Sequence, residues 1–136
     1  VMGADQTMVA AEAEKEIGPE GADIVFESTG LPECVDPAIA LCRTHGSFVW
    51  QGNYGKKPIT MNFLRPHGRR LQMFFPCDDG LQPCRRAVVK SMANGSLNWE
   101  PCISHRISFA EAPAIFQRIN EGDTDDIIGV VINWQT

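Results

Sequence analysis

The chain has 136 residues, enough for one small domain, and 43% of them are hydrophobic, which suffices for a continuous core. A net charge of −5, with no Lys/Arg run longer than two residues, argues against nucleic acid, whose binding rests on a basic surface that neutralises phosphates. No apolar run approaches the roughly 18 to 20 residues needed to cross a bilayer, and the opening VMGADQTM lacks the basic flank and apolar centre of a secretory signal.

In chain order, Gln6 to Val9 reads as a short strand, and the Ala/Glu-rich run Ala10 to Ile17 as a helix stopped by the GPEG turn at Gly18 to Gly21. Ala22 to Glu27 carries the uninterrupted apolar triplet Ile24-Val25-Phe26, which predicts a parallel strand covered on both faces. Asp36-Pro37 supplies a cap and a first turn for a helix running to Arg43. His45-Gly46 stops that helix, and Ser47 to Gln51 is the next strand. A glycine turn follows, then an edge segment over Ile59 to Phe63 and a strand over Leu71 to Phe75. Asp78-Asp79-Gly80 opens a loop before a helix from Pro83 to Asn94, with Gly95 at its C-terminal cap position.

Ile103 to Phe109 is predicted to be extended. Ser108 and Glu111 have capping-box spacing at the head of a helix that carries Ala112, Ile115, Phe116 and Ile119 on one face. Pro113 should cost that helix one hydrogen bond or shift its start. Asn120-Glu121-Gly122 ends it, and after an acidic loop Ile127 to Asn133 forms the last strand. Strand and helix alternate as in parallel βαβ units, so the fold class is α/β.

In open parallel sheets, ligands bind beyond the carboxyl ends of the strands. Three such ends are therefore candidate sites: Glu27-Ser28-Thr29-Gly30, Gln51-Gly52-Asn53-Tyr54-Gly55 and Phe74-Phe75-Pro76. The small residues of the first two allow a ligand to approach the backbone closely. The other polar groups are weaker candidates. His45, His67 and His105 are scattered, with no cysteine or carboxylate at ligand spacing. Asp78-Asp79 and Asp123 to Asp126 lack calcium-loop spacing, and Ser28 sits in no G-x-S-x-G elbow. Phe48, Trp50, Phe74 and Phe75 read as core. The five cysteines Cys34, Cys42, Cys77, Cys84 and Cys102 form no C-x-x-C pair and are expected to be buried thiols of a reducing, cytoplasmic compartment. No residue stands out as a catalytic acid, base, nucleophile or metal ligand.

GADIVFESTG, a helix, HGSFVWQGNYG and then HGRRLQMFFP resemble the second half of the cofactor domain of the medium-chain dehydrogenase/reductase family. That family includes zinc-dependent alcohol, polyol and threonine dehydrogenases as well as the quinone reductases. ISHRISFAEAPAIFQRINEGD is similar to the segment that returns to the family's catalytic domain, and VMGAD to the lead-in of the third Rossmann strand. The resemblance implies a partial Rossmann fold, a doubly wound parallel sheet, over residues 1–97 (strands 3 to 6). It implies a segment of the catalytic domain over 98–136. By position, Ser28, Thr29 and Gly30 would line the cofactor's ribose and nicotinamide. Gly52, Asn53 and Tyr54 would approach the nicotinamide, and Phe74, Phe75 and Pro76 would offer backbone groups to its carboxamide.

Departures from the family pattern are equally specific. The GxGxxG phosphate turn, the residue that chooses between NAD and NADP, and the Cys/His/Glu zinc ligands are nowhere in the sequence. Gly129 stands where many members carry a cofactor-reaching Lys or Arg. The resemblance thus implies a fragment, inactive alone, of an NAD- or NADP-dependent oxidoreductase acting on a small alcohol or polyol, with zinc held by an N-terminal domain. A zinc-free quinone or enoyl reductase and a non-catalytic interaction module are the alternatives. In a 3-2-1-4-5-6 sheet without strands 1 and 2, strand 22–27 would be an open apolar edge. The chain is therefore expected to associate, through that edge or through strand 71–75, as a homo-oligomer.

Overall fold

The computed structural model describes residues 4–56, 58–76 and 82–135. They form two compact units, one within Gln6–Leu81 and the other joining residues 4–5 to those from Gln82 onward.

The first unit starts with helix α1 (Ala10–Ile17), rich in good helix formers and ended by Gly18 at φ 81°. Strand β1 (Ala22–Glu27), helix α2 (Val35–Leu41), strand β2 (Cys42–Trp50), the short helix α3 (Leu64–Gly68) and strand β3 (Gln72–Phe74) follow. The three strands make one sheet in the order β1-β2-β3, and both pairings are parallel. This is the contiguous arrangement expected of strands 4, 5 and 6. Register places Val25, Phe48 and Met73 in one row and Phe26, Val49 and Phe74 in the next. Successive rows face opposite sides of the sheet. The first row packs with Val35 and Ile39 of α2, and Phe48, Ile39, Val35 and Cys42 are completely buried.

The opposite side is open. Ile24 and Phe26 are 55% and 63% exposed, which corrects the expectation that β1 is covered on both faces. The apolar triplet identifies a parallel strand, but α2 covers only one face of it. Residues 6–9 are not a strand, because no described strand lies beside them to take their hydrogen bonds. Residues 59–62 are likewise irregular, and α3 follows where no element was expected. Leu64 N–H donates to Asn62 Oδ1 at 3.1 Å at the entry to this helix, and Pro66 is buried within it.

Helix α2 also departs from expectation. A 3₁₀ turn at Pro32–Cys34 leads into it, so Asp36 falls inside the first turn rather than at the cap. Asp36 Oδ1 instead accepts the Asn62 N–H at 2.9 Å and fastens the 59–63 segment to α2. The helix ends at Leu41, and β2 begins at once. Its register against β1 jumps between Ala22↔Cys42 and Ile24↔Ser47, and the irregularity contains His45 at φ 60°. His45 N–H donates to Arg69 O at 2.8 Å, which holds the bulge in place.

The second unit contains helix α4 (Gln82–Ala93), strand β4 (His105–Ser108), helix α5 (Ala112–Glu121) and strand β5 (Val130–Asn133). Gly95, at φ 77°, caps α4. Strands β4 and β5 pair in parallel, with His105 opposite Val130 and Ser108 opposite Asn133. A 3₁₀ turn at Phe109–Glu111 absorbs the capping box, so α5 starts at Ala112 and Pro113 lies in its first turn, where it costs no intrahelical bond. Helix α5 buries Ala112 and Ile115. Gly122, at φ 80°, ends it, with Asp123 N–H returning to Arg118 O at 3.0 Å. The 78–80 loop lies outside the described residues.

Candidate functional site

The carboxyl ends of β1 and β2 are joined through Glu27. Its carbonyl accepts the N–H groups of both Gln51 and Gly52, each at 2.8 Å. Its side chain, only 3% exposed, faces the α2 side of the sheet. There Oε1 accepts the Thr29 N–H at 2.9 Å and the Thr29 hydroxyl, and the Thr29 oxygen in turn accepts the Leu31 N–H at 3.1 Å. A buried carboxylate thus organises the turn after β1, with Ser28 and Thr29 left at the surface.

The two turns then pack backbone against backbone. A Cβ on Gly30 would stand 2.7 Å from the Asn53 carbonyl oxygen, and Gly30 sits at φ 72°, so only glycine fits in both space and conformation. A Cβ on Gly52 would stand 2.6 Å from the Gly30 nitrogen. Asn53 closes its own turn by accepting the Gly55 N–H at 3.0 Å.

At the end of β2, Trp50 continues the row begun by Glu27 and is 8% exposed. Phe48 and Tyr54 meet its ring edge-to-face at centroid distances of 5.2 and 5.6 Å. Phe75, just past β3, stacks on it at 5.4 Å. The structure therefore brings the turns after β1 and β2 and, from the third strand end, Phe75 to one rim. Phe74 and Phe75 themselves are 50% and 70% exposed, not core as expected. Phe74 lies in the row on the open face, and Phe75 covers Trp50 while its outer side stays free. Phe48 and Trp50 are core, as expected.

Three buried polar atoms at this rim have no hydrogen-bond partner among the described residues: Glu27 Oε2, Trp50 Nε1 and Tyr54 Oη. An unpaired buried polar group costs about 1–3 kcal/mol, so these atoms do not stabilise the rim. Sequence reasoning named Tyr54 as a cofactor neighbour, included Glu27 only as the residue that opens its turn, and took Trp50 as core. Nothing local to Glu27 marks its side chain as buried, and a tryptophan inside an apolar strand reads as core.

The remaining candidates are structural. Among the described residues no three His, Cys, Asp or Glu groups gather as a metal site. His105 Nδ1 lies 2.9 Å from Ser104 Oγ, and its Nε2 lies 3.5 Å from Asp126. Asp126 is held below the usual aspartate range by its hydrogen bond from Arg118. Arg118 also binds Asp123 at 2.7 Å, and the two bonds push its guanidinium pKa up. Gly129 is explained by packing. A side chain there would strike the Cys102 carbonyl, while the Gly129 carbonyl accepts the Ser104 and His105 N–H groups at 3.0 and 3.1 Å. A Lys or Arg reaching outward from this position has no room. Of the described cysteines, all unpaired, only Cys42 is buried. Burial raises its thiol pKa, partly opposed by Arg69, which donates to the Cys42 carbonyl. Cys84 and Cys102 are exposed, contrary to the expectation of buried thiols.

Comparison with known proteins agrees with this layout. Residues 1–94 match the family described as zinc-binding dehydrogenase. D-xylulose reductase of Saccharomyces cerevisiae is 28% identical over 86% of this chain and 32% of its own length. L-idonate 5-dehydrogenase of Escherichia coli K-12 superposes with a TM-score of 0.73 at 20% identity, over 97% of this chain and 36% of its own. A Sinorhizobium meliloti protein described as a zinc-binding dehydrogenase, solved bound to NADP, superposes with a TM-score of 0.69 at 27% identity, over 84% of this chain and 32% of its own. The chain spans about a third of the length of the curated relatives it matches.

Proposed function

Since this chain belongs to the zinc-binding dehydrogenase family, we propose that it supplies one wall of the nicotinamide pocket in an NAD- or NADP-dependent oxidoreductase acting on a small alcohol or polyol. The observation that carries this reading is the rim. Two turns are kept bare at Gly30 and Gly52 so that backbone meets backbone, and the orphaned polar atoms of Glu27, Trp50 and Tyr54 lie beside them. A flat, polar-edged ring against Ser28-Thr29-Gly30, Gly52-Asn53-Tyr54 and the backbone of Phe74-Phe75-Pro76 suits such a surface. The names of the D-xylulose reductase relative and of the NADP-bound neighbour support the substrate class and the cofactor.

The nicotinamide supplies the hydride chemistry when bound, and these residues orient it and shield one face. Zinc does not fit here. Among the described residues no cluster offers it ligands, and in this reading the zinc of the whole enzyme is held by its catalytic domain. In this reading residues 1–97 serve the cofactor and 98–136 belong with the catalytic domain. A cytoplasmic setting is consistent with the unpaired cysteines.

Binding by the isolated chain tests the proposal. With no GxGxxG turn in the sequence, phosphate recognition is missing and only the nicotinamide end is held. NADH fluorescence titration should show dissociation constants in the millimolar range, and nicotinamide mononucleotide should compete about as well as NAD. D-xylulose with NADH should give no turnover. Micromolar NADH affinity, or adenosine monophosphate competing better than nicotinamide mononucleotide, contradicts the assignment.

A further inference from the structure

We propose that Glu27 is the positioning residue of the cofactor-facing rim, setting the Ser28-Thr29-Gly30 turn against Gly52 through its buried carboxylate. The inference rests on the nicotinamide-wall reading and adds to it a residue with a defined task. Glu27 is the buried charged residue among those described. Burying a carboxylate is costly unless its oxygens are well bonded, yet only Oε1 is used, for both donors of Thr29. Oε2 has no donor and would stand 3.1 Å from a Cβ on Gly52, so it occupies the space that a side chain there would need.

A group kept for stability alone would have both oxygens satisfied or would be apolar. What this half-bonded carboxylate achieves is geometry. It fixes Thr29 in a tight turn, leaves the Gly30 backbone flush with Asn53, and through its own carbonyl aligns Gln51 and Gly52. The required property is an acceptor at the Oε1 position, not a charge. Glutamine keeps that acceptor, while aspartate keeps the charge but is one methylene too short to reach Thr29.

The test uses the ¹⁵N-labelled full chain with millimolar NADH, comparing Glu27→Gln, Glu27→Asp and the unaltered protein by amide shifts and hydrogen exchange. The unaltered chain should show NADH-induced shifts at residues 28–30 and 52–54. Glu27→Gln should retain them together with the protection of the Thr29 amide. Glu27→Asp should lose the shifts at 28–30 and about tenfold of the Thr29 protection, the equivalent of one hydrogen bond, while the shifts at 53–54 persist. Thr29→Val, which removes only the hydroxyl donor, should move in the same direction by less, and it serves if Glu27→Asp fails to fold. Shifts at 28–30 that survive both Glu27→Asp and Thr29→Val overturn the positioning role alone. Their absence from the unaltered chain overturns the wall reading, and the positioning role with it.

Discussion

Gly52 has ordinary backbone geometry, so the case for glycine there is one of space. An added methyl would meet the Gly30 nitrogen and Cα at 2.6 and 2.9 Å, and neither can yield without moving the turn. Gly52→Ala is therefore expected to cost about 1–3 kcal/mol of unfolding free energy, the range of an overpacked site. Gly55→Ala is the control, since nothing lies within 4 Å of its added Cβ and only its φ of 72° opposes the change, at about 1 kcal/mol. Urea titration of both variants decides the point, and a silent Gly52→Ala would contradict the close packing of the turns. The glycines and small polar residues of these turns could be read from the sequence, because few residue types permit close approach. Glu27 could not. Its importance comes from the Glu27–Trp50 register and from burial beneath Gly52, neither of which is a local property. Phe75 was misread for a related reason. It stacks on core Trp50 yet keeps its other face free, and hydrophobicity alone cannot separate those two sides.

Helix α5 shows what local chemistry specifies well. Ser108 N–H and the Ser108 hydroxyl both donate to Glu111 Oε2, at 3.0 and 2.7 Å, and these bonds hold the Glu111 carboxyl below the usual glutamate range. Asp126 is depressed in the same unit by Arg118. A carboxyl whose pKa is lower folded than unfolded adds stability that is fully present above its unfolded value and lost as pH falls through its folded one. The second unit should therefore be most stable at neutral pH and lose part of that stability as the pH falls below the ordinary carboxylate values of about 4. Ser108→Ala should flatten this acid dependence. Circular dichroism of α5 content against pH, with and without the substitution, measures it, and identical acid limbs would exclude the link. The Ser-x-x-Glu spacing and Gly122 make this helix legible in the sequence. By contrast, the boundary between α2 and β2 rests on a register jump against β1, and α3 rests on Asn62, which Asp36 holds from another element. Contacts between distant segments leave no periodic trace in either place.

For the whole chain, the balance of buried and open apolar surface is the governing fact. Each unit has a thin core, built around Phe48, Ile39 and Val35 in one and Ala112 and Ile115 in the other. Meanwhile Ile24 and Phe26 stand open on the face of the three-stranded sheet, together with Phe74 of the same row. Strands β1 and β3 are also the two edges of that sheet among the described residues. Exposed apolar strands at an edge template pairing with another chain, and apolar patches of this kind mark association surfaces. The chain is accordingly expected to run as a homodimer or larger assembly at micromolar concentration in size-exclusion chromatography with light scattering. Placing Lys at both Ile24 and Phe26 would charge the β1 edge and the open face together. It should move the population toward monomer without disturbing the α2 side, where Val25, Phe48 and Met73 remain packed. An assembly indifferent to these changes would point to the β3 edge instead. A compact monomer of the unaltered chain would show that the open face tolerates water and that neither edge is an interface.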